Sequence, residues 1–374
     1  MILRTIYRRF LAHSKECPVR IHRTKTLIME RLEILRKRRL YNQIHWTAEQ
    51  QKAFDQFWLN HYGRKISSRW HRLYQAFNGH FCVEYIPEIL FTTKIELGFN
   101  SFLLSTLLDK SFVEVLYDRV DGPVKVPETL ALCSHGFFYN GHRQIISREK
   151  LLGNLANVGE VVIKPTNASS GEAVLLLNLT NGRDTRTGSS LEEIFGQYKD
   201  NFIVQKRLRQ CPASAKLYDG AINTIRITTY ALDGEVFHVP LCMRIGTGGS
   251  HVDNIHAGGM VIGLSDEGVF RPYAYRLGHC DTCEKFLAHP DSGVVFNGYV
   301  LPNIDRVIHA AYWLHGRTPG FGMISWDMIL DQDENPIVIE ANLFSQGVWF
   351  PQIINEAPLF GENTARILER FRTR

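Results

Sequence analysis

The chain has 374 residues, of which 44% are hydrophobic and 22% are charged, and its formal net charge is +5. This length and apolar content are typical of a globular protein with two or three domains. No run of residues reaches the roughly 18 apolar positions of a membrane helix, and arginines interrupt the N-terminal segment, unlike a signal peptide. We therefore expect neither a membrane span nor a leader, and a cytoplasmic location.

The positive charge is concentrated at the N-terminal end. Residues 1–80 contain 17 Lys and Arg against 5 Asp and Glu, a balance of +12, so the remaining residues carry −7. Such a region can contact anionic lipid at the inner face of a membrane, nucleic acid or an acidic polymer, and a solvated helical face is the alternative. No specific nucleic-acid partner is expected. The seven cysteines are odd in number and scattered, and we interpret them as reduced thiols.

The first 80 residues are predicted to be helical. Several leucine and isoleucine residues between 27 and 40 recur at helical spacing beside the basic cluster 36–39. Residues 47–50, Thr-Ala-Glu-Gln, have the form of a capping box, and two aromatic stripes follow, at 53–62 and 66–77. Asn78-Gly79 is predicted to end the second helix. We expect these stripes to be buried in a core.

A mixed α/β pattern begins near residue 81. An amphipathic helix is predicted over 107–116, and strands are predicted over 159–164 and 173–177. The small-residue loop 166–171 between these strands is predicted to be a lid. Residues 178–193 are polar and are predicted to form a mobile connection.

The second half opens with a predicted strand at 202–206. Residues 225–232 and 236–241 are predicted to form a hairpin with an Asp-Gly turn. Arg226 and Arg244 lie within apolar strands, so each needs an anion, either a structural carboxylate or a ligand phosphate or carboxylate.

Two later segments have alternative interpretations. Asp253 and Asn254 lie in a glycine-rich segment, for which we favour substrate positioning, with Asp253 as a base or amine-binding group; an ordinary Asx-stabilised turn is the alternative. Cys280 and Cys283 have CxxC spacing with His289 downstream. Because a structural zinc needs four ligands and no second CxxC follows, two reduced thiols are favoured over a zinc site.

The segment 325–342 is predicted to be a hairpin whose two strands end in oxygen ligands. Asp327 and Glu340 should lie side by side, with Asn342 on the same strand face as Glu340. Mg²⁺ is usually held by one or two carboxylates together with substrate phosphates. These three residues are therefore candidate metal ligands.

The motifs in chain order are similar to those of the ATP-grasp superfamily, and the phrases NTIRITTY, RIG..GS.VDN...GG and IEANLFSQG resemble its sugar-transfer-associated group, which is linked to surface-polysaccharide biosynthesis. The resemblance runs from about residue 109 to the C terminus. It implies an α+β ATP-grasp fold, in which two α+β subdomains clasp ATP, here preceded by a basic, mainly helical region. The expected divisions are 1–80, 81–201 and 202–374.

The resemblance also implies roles for individual residues. Contacts to ATP phosphates are expected from two lysines and from the lid, namely Lys110, Lys164, Ser169, Ser170 and Gly171. The adenine is expected at the hinge between subdomains, formed by Gln205, Lys206 and Leu208. Two Mg²⁺ ions, with Mn²⁺ as a substitute, are expected at Asp327, Glu340 and Asn342, and Arg226 and Arg244 should face the transferred group.

The family motif usually continues from the asparagine with Pro-Gly, whereas here Asn342 precedes Leu-Phe-Ser-Gln-Gly. This departure concerns the side of the site where the acceptor should bind. The activity implied is amide formation between a carboxylate and an amine, either as small molecules or linked to a glycan, through an acyl phosphate. Phosphoryl transfer to a sugar hydroxyl and a non-catalytic nucleotide-binding scaffold are the alternatives.

Overall fold

A computed structural model gives the structure of the protein. The residues that the structure describes are 2–101, 110–111, 117, 122–166, 173–198, 200–255, 258–277 and 283–372. The lid residues Ser169, Ser170 and Gly171 lie outside these ranges. Most of the predicted helix at 107–116 also lies outside them.

The described helices are α1 Ile2–Arg36, α2 Arg38–Asn42, α3 Ala48–Tyr62, α4 Arg69–Asn78, α5 Glu88–Leu90, α6 Glu96–Phe99, α7 Arg148–Leu155, α8 Leu191–Tyr198, α9 Pro212–Leu217, α10 Ile304–Gly316, α11 Trp349–Asn355 and α12 Thr364–Arg370. A π-helical stretch, Phe91–Ile95, joins α5 to α6, and a 3₁₀ turn, Gly361–Asn363, precedes α12. The fold is α+β, as the sequence predicts.

The described strands are β1 Thr129–Ser134, β2 Phe137–Asn140, β3 Ile145–Ile146, β4 Gly159–Pro165, β5 Leu175–Thr180, β6 Arg183–Asp184, β7 Phe202–Lys206, β8 Thr224–Leu232, β9 Glu235–His238, β10 Leu241–Ile245, β11 Met260–Leu264, β12 Phe270–Leu277, β13 Cys283–Phe286, β14 Met323–Leu330 and β15 Pro336–Asn342.

The first sheet has the strand order β3-β2-β1-β7-β4-β5-β6, and every pair in it is antiparallel. Helices α7 and α8 bury Leu151, Ile194 and Phe195 against one face of this sheet. Strand β7 lies in the middle of the sheet. The division expected between residues 201 and 202 therefore cuts this sheet, and the sheet itself ends after Lys206.

The second sheet has the order β13-β12-β11-β10-β8-β14-β15. Strand β9 also pairs with β8, at residues 229–232, whereas β10 pairs with β8 at residues 224–226. Helix α10 covers one face, where Val307 and Leu314 pack near Ile227 and Trp326. Helices α4 and α11 cover the other face, and Tyr74 belongs to that core. Both faces of the sheet are thus buried, which fits the continuous burial of β14.

The N-terminal region is helical, as predicted, and its local signals are present. Thr47 Oγ1 accepts from the Gln50 backbone N–H at 3.2 Å, and Gln50 Oε1 accepts from the Thr47 backbone N–H at 3.0 Å, which completes the capping box of α3. Gly79 ends α4 with φ of 84°, a left-handed conformation that glycine adopts without strain. The aromatic stripes are buried, with Trp58 and Tyr74 fully inaccessible.

Two predicted connections have different outcomes. The Asp233-Gly234 turn joins β8 to β9 with positive φ at both residues, which confirms the hairpin. The segment 178–193, predicted to be a mobile connection, is instead ordered. Buried Asp184 accepts from the backbone N–H of Asn178 at 2.9 Å and from Thr187, and these bonds fix the turn.

Among the helices in the described part of the chain, none combines the length and the apolar character that crossing a bilayer requires. The four cysteines whose side chains are described, Cys82, Cys133, Cys211 and Cys242, are free thiols, in agreement with the interpretation of reduced cysteines.

Candidate active site

A cleft of about 840 Å³ lies between the two sheets and the N-terminal helices. Strands β4, β5 and β7 contribute one wall, and β8, β10, β14 and β15 contribute the opposite wall and the floor. Residues of α1, α4 and α11 close a further side. All the candidate residues in the described ranges line this cleft, so the structure brings together groups that are up to 232 residues apart in sequence, from Lys110 to Asn342.

The hairpin of β14 and β15 positions the candidate metal ligands. Asp327 pairs directly with Glu340, as the sequence predicts, and Ser325 pairs with Asn342. The register shifts between Asp327 and Met328, which leaves Ile339 as the extra residue of a bulge. Bulges re-aim side chains next to functional sites, and here all three candidate ligands line the cleft.

Asp327 is the centre of a buried ion-pair network. Arg226 Nε and Nη2 donate to its two carboxylate oxygens at 2.7 and 2.8 Å, and Arg244 Nη2 donates at 3.0 Å. Burial alone would raise the pKa of Asp327, but the two guanidinium groups outweigh burial and hold that pKa below its ordinary range. Asp327 is therefore ionised at neutral pH, and the anion nearest to both arginines is a carboxylate of the protein.

The network continues from Arg244 to Asp253 through Thr224. The Thr224 hydroxyl accepts from Arg244 Nε at 2.9 Å and donates to Asp253 Oδ2, which also accepts from the Thr224 backbone N–H at 3.0 Å. Burial raises the pKa of Asp253, and Arg244 only partly offsets the rise. These contacts tie the glycine-rich segment to strand β8 through Asp253.

The glycine-rich segment folds closely on itself. The Gly259 backbone N–H donates to the Asn254 carbonyl at 3.0 Å, and a Cβ at Gly259 would lie 2.3 Å from the Asp253 carbonyl oxygen, so no larger residue fits. Asn254 lies at the wall of the cleft beside Asp253. His289 anchors the start of the segment, since its Nε2 is 2.9 Å from the Gly246 carbonyl.

The CxxC segment that was weighed as a zinc site lies mainly outside the described residues. Cys280 and the side chain of Cys283 are not described. His289 Nδ1 accepts from the backbone N–H groups of Asp291 and Ser292 at 3.3 Å, and its Nε2 donates to Gly246. Both ring nitrogens of His289 are thus used in holding two loops, and this histidine has no free nitrogen for a metal ion.

Two lysines approach the hairpin from the side of the first sheet. Lys164 lies near the end of β4, and the Lys110 backbone N–H donates to the Thr166 carbonyl at 2.8 Å, which places Lys110 beside the same strand end. Lys110 Nζ is 3.4 Å from Glu340 Oε1. This ion pair joins the two walls of the cleft.

The hinge after β7 provides an apolar slot. Val162 of β4 pairs with Leu176 of β5 on one side and with Gln205 of β7 on the other, and Ile339 lines the cleft from the hairpin. Gln205 donates to Thr129 Oγ1 at 3.2 Å. Leu208 lines the slot, whereas the exposed Lys206 pairs with Glu128 at 3.4 Å, so side-chain contact with a base is better suited to Leu208.

The chemistry of the donors fits a magnesium nucleotide. An apolar slot suits a planar base, lysines suit phosphate oxygens, and two carboxylates with one amide oxygen suit a hard divalent cation. Among the residues that the structure describes, no group of three or more His, Cys, Asp or Glu side chains is arranged to hold a metal ion.

The loop after Asn342 is fixed by buried polar groups from the 88–100 segment. Glu96 accepts from the Gln346 backbone N–H at 2.9 Å, and Glu88 accepts from the Val348 backbone N–H at 3.3 Å. Asn100 Nδ2 donates to the Leu343 carbonyl at 2.6 Å. The sequence Leu-Phe-Ser-Gln-Gly, which replaces the usual Pro-Gly, is thus held rigidly beside the metal ligands.

The N-terminal helices complete the cleft, which the sequence does not reveal. Glu30, Glu33 and Lys37 line it, and Lys37 Nζ lies 5.3 Å from the Trp349 ring centroid. Burial and the neighbouring Glu33 raise the pKa of Glu30 to about 7. The only signal in the sequence is a pair of glutamates three residues apart in a helix that is rich in Lys and Arg. That spacing places both glutamates on one face of the helix but does not indicate which part of the protein this face contacts.

Two antiparallel sheets that enclose a cleft with lysines on one wall and paired carboxylates on the other define an ATP-grasp protein. A model of the sugar-transfer associated ATP-grasp family matches residues 93–367, and the chain belongs to this family. The match confirms the resemblance read from the motifs and begins before residue 109. Helices α1 to α4 lie outside it.

Similar solved structures include an L-amino acid ligase from Bacillus licheniformis, with 12% identity, TM-score 0.38 and coverage of 71% of this chain and 48% of that one. A D-Ala:D-Ser ligase from Enterococcus faecalis has 14% identity, TM-score 0.39 and coverages of 72% and 62%. A biotin carboxylase from Campylobacter jejuni has 13% identity, TM-score 0.40 and coverages of 72% and 48%. The chain thus spans about half to three fifths of their lengths. A comparison with curated protein sequences finds no match.

Proposed function

We propose that the protein is an ATP- and Mg²⁺-dependent ligase that joins a carboxylate to an amine through an acyl phosphate. The proposal rests mainly on one observation: the Lys110–Glu340 ion pair and the Arg226–Asp327–Arg244 network line the same cleft. Groups suited to phosphate, metal and carboxylate thus line the same cleft. In such a site, positioning and electrostatic stabilisation supply most of the catalysis.

The nucleotide side is assigned to the first sheet and the hairpin. The base would lie in the slot of Val162, Leu176 and Ile339, and Lys110 and Lys164 would contact phosphate oxygens. Asp327, Glu340 and Asn342 would hold Mg²⁺, which supplies neutralisation of charge on the phosphate oxygens. ATP binding would therefore replace the Lys110–Glu340 contact with separate contacts of each residue to phosphate and to metal.

The substrate carboxylate is assigned to the arginines. Arg226 uses two of its five N–H donors on Asp327, and its side chain is 18% exposed at the wall of the cleft. Donors remain on both guanidinium groups for a carboxylate or a transferred phosphoryl group. One carboxylate oxygen attacks the γ-phosphorus, the bond between that phosphorus and the bridging oxygen breaks, and ADP leaves.

The amine is assigned to the N-terminal wall. Glu30 and Glu33 place two carboxylates, and Trp70 and Trp349 place two aromatic rings, along this side of the cleft. Carboxylates beside aromatic faces suit a cationic amine. The cationic amine first gives up one proton, which Glu30 can accept because its pKa is about 7. The neutral nitrogen then attacks the acyl carbon, phosphate leaves, and the second proton of the nitrogen goes to the released phosphate.

The family name supports a role in the assembly of a surface polysaccharide or glycoconjugate, with an amino acid, uronic acid or amino sugar as the reacting partner. Cytoplasmic action on such a precursor belongs to the same proposal. Mn²⁺ is proposed as a substitute for Mg²⁺, because it accepts the same oxygen ligands.

The test is release of ADP and inorganic phosphate by the purified full chain with ATP and Mg²⁺, across a matrix of carboxylates (amino acids and uronic acids) and amines (amino acids, amino sugars and polyamines). A productive pair should give equal amounts of ADP, phosphate and an amide identified by mass. Glu340→Gln should lower the rate by about two orders of magnitude. Glu267→Gln is the matched control, since Glu267 is exposed and lies outside the cleft.

Two outcomes would contradict the ligase. ADP without inorganic phosphate, together with a phosphorylated product, would identify a kinase. Tight ATP binding with no ADP formed above the Glu340→Gln background by any pair would identify a nucleotide-binding scaffold.

A further inference from the structure

Helix α1 presents an apolar stripe to solvent. Ile21, Ile28, Leu32 and Leu35 have exposed fractions of 64%, 54%, 46% and 48%. Their spacing of 7, 4 and 3 residues places all four on one side of an α-helix. An exposed apolar face of this length on an otherwise folded protein marks an interaction surface.

The opposite side of the same helix is anchored to the body of the protein. Ile34 is buried, the His22 ring lies 5.2 Å from the Phe344 ring, and Lys37, which directly follows α1, lies over Trp349 at 5.3 Å. Glu30 and Glu33 point to the cleft. The helix is therefore held in place, and its apolar stripe is directed outward by that packing.

Basic residues flank the stripe on both sides. At 100° per residue, Arg20 and Arg31 fall along one border, and Lys25 and Arg36 fall along the other. All four are exposed. Arg36 Nη1 also lies 3.7 Å from Glu33. An apolar stripe with cationic borders is the pattern of a helix that lies in the surface of an anionic bilayer.

The charge distribution favours a bilayer over a second copy of the chain. Between residues 18 and 39 the sequence has eight Lys and Arg and two glutamates, and both glutamates face the cleft. Two copies that meet through the stripe would bring like charges together. Anionic headgroups would instead neutralise the borders while the acyl region receives the four aliphatic side chains.

We propose that the stripe Ile21, Ile28, Leu32 and Leu35 docks on an anionic lipid bilayer. Because α1 is also a wall of the cleft, docking places the cleft within about one helix diameter, roughly 10–12 Å, of the membrane surface. This consequence rests on the proposed function: the ligase would act there on a substrate attached to lipid. The docking itself does not depend on turnover.

The test is sedimentation of the full chain with vesicles of phosphatidylcholine alone or of phosphatidylcholine mixed with phosphatidylglycerol. The wild type should bind only the mixed vesicles, and added salt should weaken binding. Ile28→Ser with Leu32→Ser should weaken binding about tenfold or more. Leu287→Ser with Val295→Ser is the matched control, because these residues are 60% and 59% exposed and lie outside α1, and it should bind like the wild type.

A separate pair, Arg20→Ser with Arg31→Ser, should weaken binding about tenfold while leaving the apolar stripe in place. Three results would overturn the proposal. The wild type could remain in solution with both kinds of vesicle, or the Ile28 and Leu32 variant could bind as the wild type does. Light scattering could instead show a dimer that this variant converts to a monomer, which would identify the stripe as an interface between copies. Loss of ADP formation with vesicle binding intact would count against the ligase alone.

Discussion

The Asp327 carboxylate is both an ion-pair partner and a candidate metal ligand. It is 1% exposed, and both of its oxygens accept from Arg226, yet it also faces the cleft as a candidate ligand for Mg²⁺. Glu340 has a side chain that is 29% exposed and a longer contact, to Lys110. The two carboxylates are paired across the hairpin, but Asp327 compensates two arginines, whereas Glu340 contacts a single lysine.

This difference predicts unequal stability losses. Asp327→Asn should lower the free energy of unfolding by about 3 kcal/mol, because it removes a fully buried carboxylate that neutralises both Arg226 and Arg244. Glu340→Gln should change that free energy by no more than about 1 kcal/mol, since its ion pair is partly exposed. Urea unfolding followed by circular dichroism measures both. Equal midpoints for the two variants would contradict the structural role of Asp327.

At this scale the candidate ligands could be predicted from the sequence, but their partners could not. Acidic residues in apolar strands identify Asp327 and Glu340, because a hairpin brings opposite residues together. Arg226 and Arg244 each needed an anion, and the structure gives both of them Asp327. The pairing depends on β8 lying between β10 and β14, a strand order that local sequence does not encode.

At the scale of elements, the helical segment 88–99 acts as a support for the loop after Asn342. Glu96 is buried and accepts from the Gln346 backbone N–H, and burial raises its pKa to about 8. A raised acid pKa means that the folded state holds the proton more tightly than the unfolded chain, whose value is 4.5. Stability contributed by the protonated form is therefore lost as the pH rises from about 4.5 to 8.

Glu96→Gln should remove this loss. The amide oxygen can still accept from Gln346, and no carboxyl group remains to ionise. The variant and the wild type should unfold at the same temperature near pH 5, whereas near pH 9 the variant should unfold at least about 4 °C higher. Calorimetry at the two pH values measures this. Glu88 is ionisable in both proteins and therefore cancels in the comparison. A difference in unfolding temperature that is the same at pH 5 and pH 9 would contradict the assignment of the pH dependence to Glu96.

Elements themselves were predicted better than the contacts between them. The capping box, the Asp-Gly hairpin and the metal-ligand hairpin follow from local chemistry. Helical spacing in α1 selected Ile28, Leu32 and Leu35 but not the direction they face, and in the structure these three are exposed while Ile34 is buried. Segment 178–193 was misjudged because polar composition resembles a mobile loop, whereas Asp184 orders it through backbone contacts.

For the whole molecule, the fold class and the family could be predicted because the motifs stand in a fixed order along β4, β7, β8, β10 and the final hairpin. The helical region 1–80 was predicted as helix and as basic, but its place in the site was not. Its contacts with the rest of the protein join residues that are far apart in sequence, such as His22 and Phe344. No motif spacing describes a wall built from a region that lies outside the family match.

The central claim is that the carboxylate substrate passes through an acyl phosphate in this cleft. The most direct measurement supplies a productive carboxylate labelled with oxygen-18 in both oxygens and follows the label by mass spectrometry. In the mechanism proposed here, one carboxylate oxygen leaves with the phosphoryl group, so each released phosphate should carry one labelled oxygen and the amide should keep the other. Unlabelled phosphate, or phosphate retained on the product, would contradict the account.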